Sequence, residues 1–274
     1  NMDKNAIKSK VDSLKPATVK AEKNDYSKYL WKPKEEGKYI IRFVPSLLNP
    51  ENPFQEIYVH YGIGKYPIFS LINWGEKDPI VEFAKQLKAT NEKENWILSK
   101  KLEPKMRVYA PIVVRGEEEK GVRLWEFGKE IYMSLLGIAE DEDYGDYTDV
   151  AEGRDFTVDV VRGDVGGRQG LKSTLRIKPK TTPLGSSKAE VKGYLENQPS
   201  LLDIQRKLSF DDLKEILQNF LSVAEGVEDE EGEGEVEVKP KETKGTGKYS
   251  MDTSKISPSK KFDALFSDED EENE

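Results

Sequence analysis

Hydrophobic and polar positions along the chain first predict a series of short strands. The run KYIIRFVP at 38–45 is rich in β-branched and aromatic residues and ends at a proline, which is typical of a strand. Comparable runs follow along the chain at 57–61, 66–72, 105–116, 121–128, 155–163 and 171–179. The last two flank a glycine-rich turn that contains Arg168, which predicts a long β-hairpin with a basic tip.

Three other segments show helical periodicity, at 78–90, 129–140 and 209–226. In the first, Asp78 is the expected N-cap and Pro79 occupies the first helical position. The third has the clearest amphipathic pattern in the chain, with apolar residues recurring every three or four positions. We therefore predict helices between the strands and one long helix after them.

Short strands with inserted helices and no βαβ alternation predict a mainly β, α+β fold. The natural candidate is a five-stranded barrel of the oligonucleotide-binding type with inserted helices and a small subdomain. We divide the chain into an N-terminal arm at 1–34, a core at 35–225 with the subdomain at about 60–90, and a tail at 226–274. The tail is rich in Glu, Gly and Lys, a composition that predicts disorder.

The formal net charge of −9 is unevenly distributed. Residues 225–274 contain 17 acids and 7 lysines, a net of −10, so residues 1–224 carry 35 acids and 36 basic residues, a net of +1. Within this near-neutral body, basic residues outnumber acids at 1–34 and 154–192, whereas acids dominate 116–153. Such patches are electrostatic footprints of binding surfaces, so a nucleic-acid partner remains compatible with the acidic total.

The composition excludes several kinds of chemistry. Without cysteine the chain has no disulfide, thiol nucleophile or thiolate metal site, and its single histidine, His60, excludes a two-histidine metal site. The acidic stretch at 140–149 does not have the spacing of an EF-hand loop. The segment GDVGGRQG at 163–170 lacks the ending of a phosphate-binding P-loop. We therefore predict that the protein is not an enzyme and has no cofactor.

The middle of the chain instead interleaves aromatic and basic residues. Single-stranded nucleic acid needs this combination, because cations neutralise phosphates while flat rings stack on unpaired bases. The alternative is that the rings are core residues and the lysines a solvated face. The candidate DNA-binding residues here are Trp96, Lys100, Lys101, Lys105, Arg107, Tyr109, Arg123, Trp125 and Lys129. Arg168 at the tip of the predicted hairpin is a further candidate.

Trp125 is the sharpest case. In the alternating run at 121–128, Trp125 shares a strand face with Arg123 and Phe127. Because an arginine on a buried face is costly, we expect that face to be open to solvent or ligand.

Two long segments and the acidic end resemble a known family. The segments are GKYIIRFVPS at 37–46 and VYAPIVVRGEEEKGVRLWEFGKEIY at 108–132. In order and spacing they resemble the single-stranded DNA-binding, helix-destabilising proteins of T-even-type phages, over most of residues 28–225. The resemblance implies an oligonucleotide-binding core whose cleft holds a single strand, and an acidic tail that recruits replication and recombination proteins. It also implies cooperative self-association through a basic N-terminal segment, with an approximate counterpart in Lys8, Ser9 and Lys10.

The resemblance assigns roles to five further positions. Trp125 stands at the place of a base-stacking tyrosine, and Trp96 at that of another aromatic. Lys100 and Lys101 fall in a basic cluster along the DNA cleft, and Arg42 matches the arginine of the IRF-P-S strand.

One departure from the family concerns zinc. T-even-type members bind a structural zinc through one His and three Cys in the segment that corresponds to about 60–90. This chain has no Cys, so we expect no zinc and predict apolar packing in its place, from Ile68, Leu71, Trp74, Ile80 and Phe83.

The predicted function is sequence-nonspecific, cooperative binding of single-stranded DNA in phage replication, recombination and repair, in the cytoplasm of an infected bacterium. The longest apolar runs are too short to cross a membrane, and no membrane partner is expected. Two alternatives stay open. One is an RNA-binding or RNA-chaperone protein of the same fold, and the other is an acidic scaffold or DNA mimic that acts through residues 225–274.

The last residues of the chain raise a separate question, because they place apolar side chains beside a run of acids. Phe262, Leu265 and Phe266 fall at i, i+3 and i+4, so a short helix presents all three to a partner's groove. A second hypothesis places the tail in the protein's own DNA cleft, where its acids mimic phosphate. A merely solubilising end would need no Phe or Leu.

Overall fold

The computed structural model describes residues 26–47, 49–165, 167–230 and 257–266, with backbone only for 224–230. Within these residues, no helix combines the length and the apolar character that crossing a membrane requires. The strands are β1 (Leu30–Trp31), β2 (Gly37–Phe43), β3 (Gln55–His60), β4 (Ile68–Phe69), β5 (Lys105–Val114), β6 (Arg123–Phe127), β7 (Arg154–Asp164) and β8 (Gln169–Thr181). The helices are α1 (Pro79–Ala89), α2 (Lys93–Leu102), α3 (Lys129–Glu140), α4 (Lys188–Glu196), α5 (Leu201–Ile204), α6 (Phe210–Glu230) and α7 (Pro258–Phe266).

The described strands belong to one sheet in the order β1-β6-β5-β2-β7-β8, with β3 on β5 and β4 on β3. Every pair is antiparallel except β1 with β6. The long strand β5 organises the sheet, because residues 105–109 pair with β3 while residues 112–114 pair with β2. Its other edge pairs with β6 over residues 108–112. The fold is therefore mixed α and β. Its sheet has eight described strands, whereas the sequence predicted seven strand-like runs and a barrel of five strands.

The main core lies on one face of this sheet. Alternate β5 residues Val108, Ala110, Ile112 and Val114 point into it, as the period of two along a strand requires. The same core is completed by aromatic residues from seven other elements or loops, namely Trp31, Phe43, Phe54, Trp125, Phe127, Tyr132, Tyr147 and Phe156. The β-branched and aromatic runs of the sequence thus form the strands that enclose this core.

A second core belongs to what we call the helical layer, formed by α1, α2, α6 and α7 with the loop at 63–71. Helix α1 begins as the sequence predicts, since the Asp78 carboxylate accepts hydrogen bonds from the backbone N–H groups of Ile80 and Val81. Its apolar stripe faces α6, and Leu213, Leu217 and Leu221 supply the opposite side. The layer is larger than the subdomain predicted at about 60–90, because it also recruits segments distant in sequence.

The apolar packing predicted in place of zinc is present. Ile68, Leu71, Ile80 and Phe83 are buried in the helical layer, and Trp74 packs against its edge. Among the described residues there is no group of three or more His, Asp or Glu side chains placed to hold a metal ion. The expectation that the protein needs no zinc rests on the missing cysteines and remains a prediction.

Several element predictions need correction. The run at 66–72 is a strand only at Ile68–Phe69 and then forms a 3-10 turn at Leu71–Trp74. Helix α2 was missed, because its polar and apolar residues give a weak stripe. The tail contains helix α7, so disorder is wrong for Pro258–Phe266. Residues 231–256 and 267–274 lie outside the described residues, as do Lys8, Ser9 and Lys10.

Candidate nucleic-acid interface

Helix α2 holds the one candidate stacking ring of the sequence analysis that the structure leaves exposed. The buried face of α2 is Asn95, Ser99 and Leu102, spaced four and three residues apart. Asn95 donates hydrogen bonds to Thr90 Oγ1 and to Glu92 Oε2, at 2.8 and 2.7 Å, which anchors the start of the helix. Trp96 follows Asn95 and points away from this face, with 51% of its surface exposed.

Two lysines accompany Trp96 along this surface. Lys100 Nζ lies 5.7 Å from the centroid of the Trp96 ring, within the range of a cation–π contact. Lys105, at the start of β5, donates from Nζ to the backbone carbonyl of Lys100 at 3.2 Å. All three side chains are exposed, so a flat ring and two cations share one accessible surface.

The surface continues along β5 into a cluster of charges and tyrosines. Arg107 lies on the same strand face as Lys105, two residues on, and its Nε donates to Glu126 Oε1 at 2.8 Å. Burial raises the pKa of Tyr61 to about 12, with the charge of Glu126 acting in the same direction and that of Arg107 against it. Tyr61 therefore stays neutral, and 38% of its surface is exposed.

Lys129 stands beside this cluster. A Cβ at Gly128 would lie 3.2 Å from Arg107 Nη1, so glycine lets the guanidinium pass close to the backbone. Lys129 is the next residue, exposed in the first turn of α3. We define the candidate interface as Trp96, Lys100, Lys105, Arg107 and Lys129, together with Tyr61.

Lys101 points elsewhere on α2. Its Nζ lies 4.9 Å from the centroid of the Phe220 ring in α6, and it is exposed. It lies on the same helix as Trp96 but points toward α6, away from the candidate interface.

The expectation that the Trp125 face is open is wrong. Trp125 is 3% exposed and lies in the main core against Trp31, Phe43 and Phe127. The predicted alternation is correct, but it says which side chains share a face and not which face is covered. Trp125 thus offers no surface to a base in this structure, and the core-residue alternative holds for it.

Arg123 explains why the argument about a costly buried arginine failed. It sits at the first position of β6, where its Nη2 donates to the Glu117 carboxylate in the preceding turn. The charge at the rim of the core is therefore paired, so its presence does not require an open face. Arg123 also lines a groove of about 1280 Å³, together with Lys28 and Lys120.

Arg42 is also placed differently from its predicted role, because its guanidinium is fully buried. Its Nη1 donates to the carbonyl and hydroxyl oxygens of Thr182, at 2.9 and 3.0 Å, and lies 3.5 Å from Asp155 Oδ1. Burial lowers the pKa of Arg42, which the charge of Asp155 opposes. Glycine is required at Gly153, because a Cβ there would collide with Arg42 Nη2 and with the carbonyl oxygen of Asp149. Arg42 is an internal brace and not a surface cation.

Tyr109 is similarly inaccessible, with 1% of its surface exposed. Burial raises the pKa of its hydroxyl far above the ordinary value, and Glu126 and Tyr26 add to the rise. It lies on the same strand face as Arg107, where it is buried in a cluster with Leu124 and Ile57.

The remaining predicted residues lie apart from this surface. Arg168 is exposed at the tip of the β7–β8 hairpin. Phe262, Leu265 and Phe266 are packed against the chain's own helical layer.

Sequence reasoning missed Tyr61 as a member of the interface. The signal was present in the run YVHY at 58–61, because β3 ends at His60 and the alternation of the strand puts Tyr61 on the face of Val59. Only the neighbouring β5 shows that Arg107 and Glu126 lie on that same side.

The acidic stretch at 140–149 has a structural role. Asp146 Oδ1 accepts from the backbone N–H and the hydroxyl of Thr148, and Asp149 Oδ1 accepts from the N–H groups of Ala151 and Glu152. These carboxylates cap turns, as short acidic side chains do in loops.

Comparison with models of known protein families gives a match. A family model described as gp32 DNA binding protein like matches residues 35–224. No curated protein matches the chain. The matched range contains every residue of the candidate interface.

Proposed function

Because the chain belongs to the gp32 DNA-binding protein-like family, a family of DNA-binding proteins and not of enzymes, we propose that it binds single-stranded DNA without sequence preference. The observation that carries this proposal is the exposed Trp96 ring with Lys100 and Lys105 beside it. Such a surface captures phosphates with its cations and stacks bases on its ring. Neither contact reads a base edge, so the binding tolerates any sequence.

As part of this proposal we interpret the mixed α and β fold as a variant of the oligonucleotide-binding type. The main core covers one face of the sheet, and the helical layer joins β3 through His60, whose ring faces Leu102 of α2 and Asp78. The candidate interface follows the junction between sheet and helical layer, where α2 leads into β5 through residues 103–104. A single strand of DNA lying along this junction would contact Trp96 at one end of the interface and Arg107 further along.

The wider role in this proposal is that of a phage replication, recombination and repair protein in the bacterial cytoplasm. In it Lys8, Ser9 and Lys10 link neighbouring copies along the strand, and the acidic tail recruits replication proteins. The support for this part is the resemblance and the charge distribution, with a net of −10 over residues 225–274.

A stacking series at Trp96 tests the central claim with fluorescent oligo(dT). Trp96→Phe keeps a flat ring and should bind nearly as the wild type, whereas Trp96→Leu and Trp96→Ala should lose about 1–3 kcal/mol. Since Trp96 is half exposed, the melting temperature should change little in all three variants. Equal affinity of Trp96→Phe and Trp96→Ala would remove stacking from the mechanism. A matched oligo(U) ligand bound more tightly than oligo(dT) would favour the RNA-binding alternative.

A further inference from the structure

Helix α7 occupies a groove between α1 and α6. Phe262 and Phe266 are 2% and 3% exposed. The ring of Phe262 meets Phe83 of α1 edge-on at 5.9 Å, and that of Phe266 meets Phe210 of α6 edge-on at 6.1 Å. The side chains that the sequence offers to a partner are thus buried against the chain's own helices.

Charged groups at the rim fix the position of α7 in this groove. Lys261 Nζ donates at 3.2 Å to Oε2 of Glu92, the residue directly before α2. At the other end, Lys214 Nζ lies 5.1 Å from the centroid of the Phe266 ring. Ser257 caps the first turn, with its hydroxyl accepting from the N–H of Lys260 at 3.4 Å. The groove therefore recognises a defined helix, Phe-x-x-Leu-Phe with a basic residue before the first Phe.

Helix α7 is held weakly in this groove. It has nine residues, and isolated helices of this length are marginal in water, so α7 depends on the groove for its structure. Packing along one side is incomplete, because a cavity of about 390 Å³ lies between α1 and α7, lined by Leu87, Thr90 and Ala264 among others. Two rings and the half-buried Leu265 hold α7 in this core, one apolar residue fewer than α1 contributes and about half as many as α6 contributes.

The chain between α6 and α7 is long enough to reach another molecule. Residues 231–256 separate the two helices, and 26 residues span at most about 90 Å when extended. A compact domain of about 200 residues is about 40 Å across by the usual scaling of its radius of gyration. The covalent connection thus allows α7 to reach the equivalent groove of a neighbouring copy.

We propose that this groove also takes the α7 segment of a second copy of the chain, so that adjacent copies exchange their C-terminal helices. The groove already accepts residues 258–266, and every copy carries them with the same rings, the same Lys261 and the same spacing, so exchange needs no new complementarity. In a single molecule the groove is occupied by the chain's own α7, because the tether gives that helix an effective concentration on the order of millimolar. Where copies are held side by side, a neighbour's helix competes on equal terms and joins the two molecules.

A peptide experiment tests the groove first. A fluorescent peptide of residues 257–266 is titrated into the full chain carrying Phe262→Ala and Phe266→Ala, and into the wild type. We expect saturable binding to the double variant and about hundredfold weaker binding to the wild type, whose own helix competes. A peptide carrying the same two alanines is the matched control and should not bind. Absence of binding to the vacated groove, or equal binding to both proteins, would overturn the proposal.

Fluorescence energy transfer between labelled copies tests the exchange of helices in the absence of DNA. A negative result therefore contradicts the exchange and not the proposed binding of DNA. The chain has no cysteine, so a single introduced cysteine can be labelled specifically. One copy carries a donor fluorophore at Lys260→Cys, and another copy carries an acceptor fluorophore at Gln86→Cys. Both positions are exposed, on α7 and at the groove rim. Transfer should rise toward millimolar concentration, disappear when the donor copy also carries Phe262→Ala and Phe266→Ala, and persist with Asp263→Ala, an exposed position on the same helix. No transfer between copies whose groove binds the peptide would exclude exchange.

Discussion

Nε2 of His60 lies 3.1 Å from Oδ2 of Asp78, and both side chains are fully buried in the helical layer. On the other side of the ring, Nδ1 faces the carbonyl oxygen of Leu102 at 2.8 Å. The same Asp78 oxygen accepts from the Ser70 hydroxyl at 2.6 Å and from the Leu71 N–H at 3.0 Å. Asp78 thus joins β3, the turn before α1 and α1 itself in one polar network.

Replacing Asp78 should show how much this network contributes to the free energy of unfolding. Burial alone raises the pKa of Asp78, but the hydrogen bond and charge of His60, with bonds from Ser70 and Val81, bring it below its ordinary value. A carboxylate with a lowered pKa stabilises the fold above its unfolded pKa of about 3.9, and this contribution is lost as the pH falls through the folded pKa. Asp78→Asn should therefore cost about 3 kcal/mol of unfolding free energy at pH 7 and less at pH 3.

Urea unfolding at the two pH values measures this difference. Asp211→Asn, at an exposed position in the first turn of α6, is the matched control and should change the unfolding free energy little. A constant gap between wild type and Asp78→Asn at both pH values would show that the Asp78 charge contributes nothing.

Chelation should leave the protein intact. The helical layer is held by apolar packing around Phe83 and by the Asp78 network, and the chain has no cysteine ligand. We expect the thermal transition to be unchanged when EDTA is added to the purified protein. A transition that disappears with EDTA and returns with Zn²⁺ would contradict the expectation.

Trp125→Ala should act on stability and not directly on DNA. Trp125 packs against three aromatic rings in the main core, the nearest being Phe127 at 4.9 Å between centroids. Truncating a buried tryptophan leaves a cavity and typically costs about 3–5 kcal/mol. Thermal unfolding should show a large loss for Trp125→Ala and a small one for Trp96→Ala. A stable Trp125→Ala protein with weak DNA binding would restore the role that the resemblance gave Trp125.

Lys100 and Lys105 should contribute to the salt dependence of binding. Each phosphate contact to a single strand changes the slope of log K against log salt by about 0.7. Replacing either lysine by Ala should therefore flatten the slope by about that amount, measured with oligo(dT) at several salt concentrations. Lys192→Ala removes an exposed lysine from α4, where it pairs with Glu196, and should leave the slope unchanged. Identical slopes for all four proteins would remove both lysines from the interface.

The sequence predicts the elements of this fold well where local chemistry decides them. Asp78 and Pro79 mark the start of α1, and alternation in β6 separates Trp125 from Leu124. The helix α2 was missed, because Trp96 and Ile97 are both exposed and weaken the stripe on which such predictions rely.

The candidate site was predictable only in part. Trp96, Lys100, Lys105, Arg107 and Lys129 were named from the interleaving of aromatic and basic residues along the chain, and the structure places them on or beside one surface. The sequence did not show which of the named residues would be exposed on that surface and which would be buried. Arg42 found internal partners in a loop more than a hundred residues away, a contact that no local pattern contains.

The C-terminal helix separates the two kinds of information most clearly. By itself the sequence determined that Phe262, Leu265 and Phe266 share one side of a helix, because the 3.6-residue period depends only on spacing. Only the tertiary structure decided that this side meets Phe83 and Phe210 of the same chain. The hydrophobic effect is non-directional: it requires apolar faces to be covered, and the three-dimensional arrangement of the helices selects what covers them.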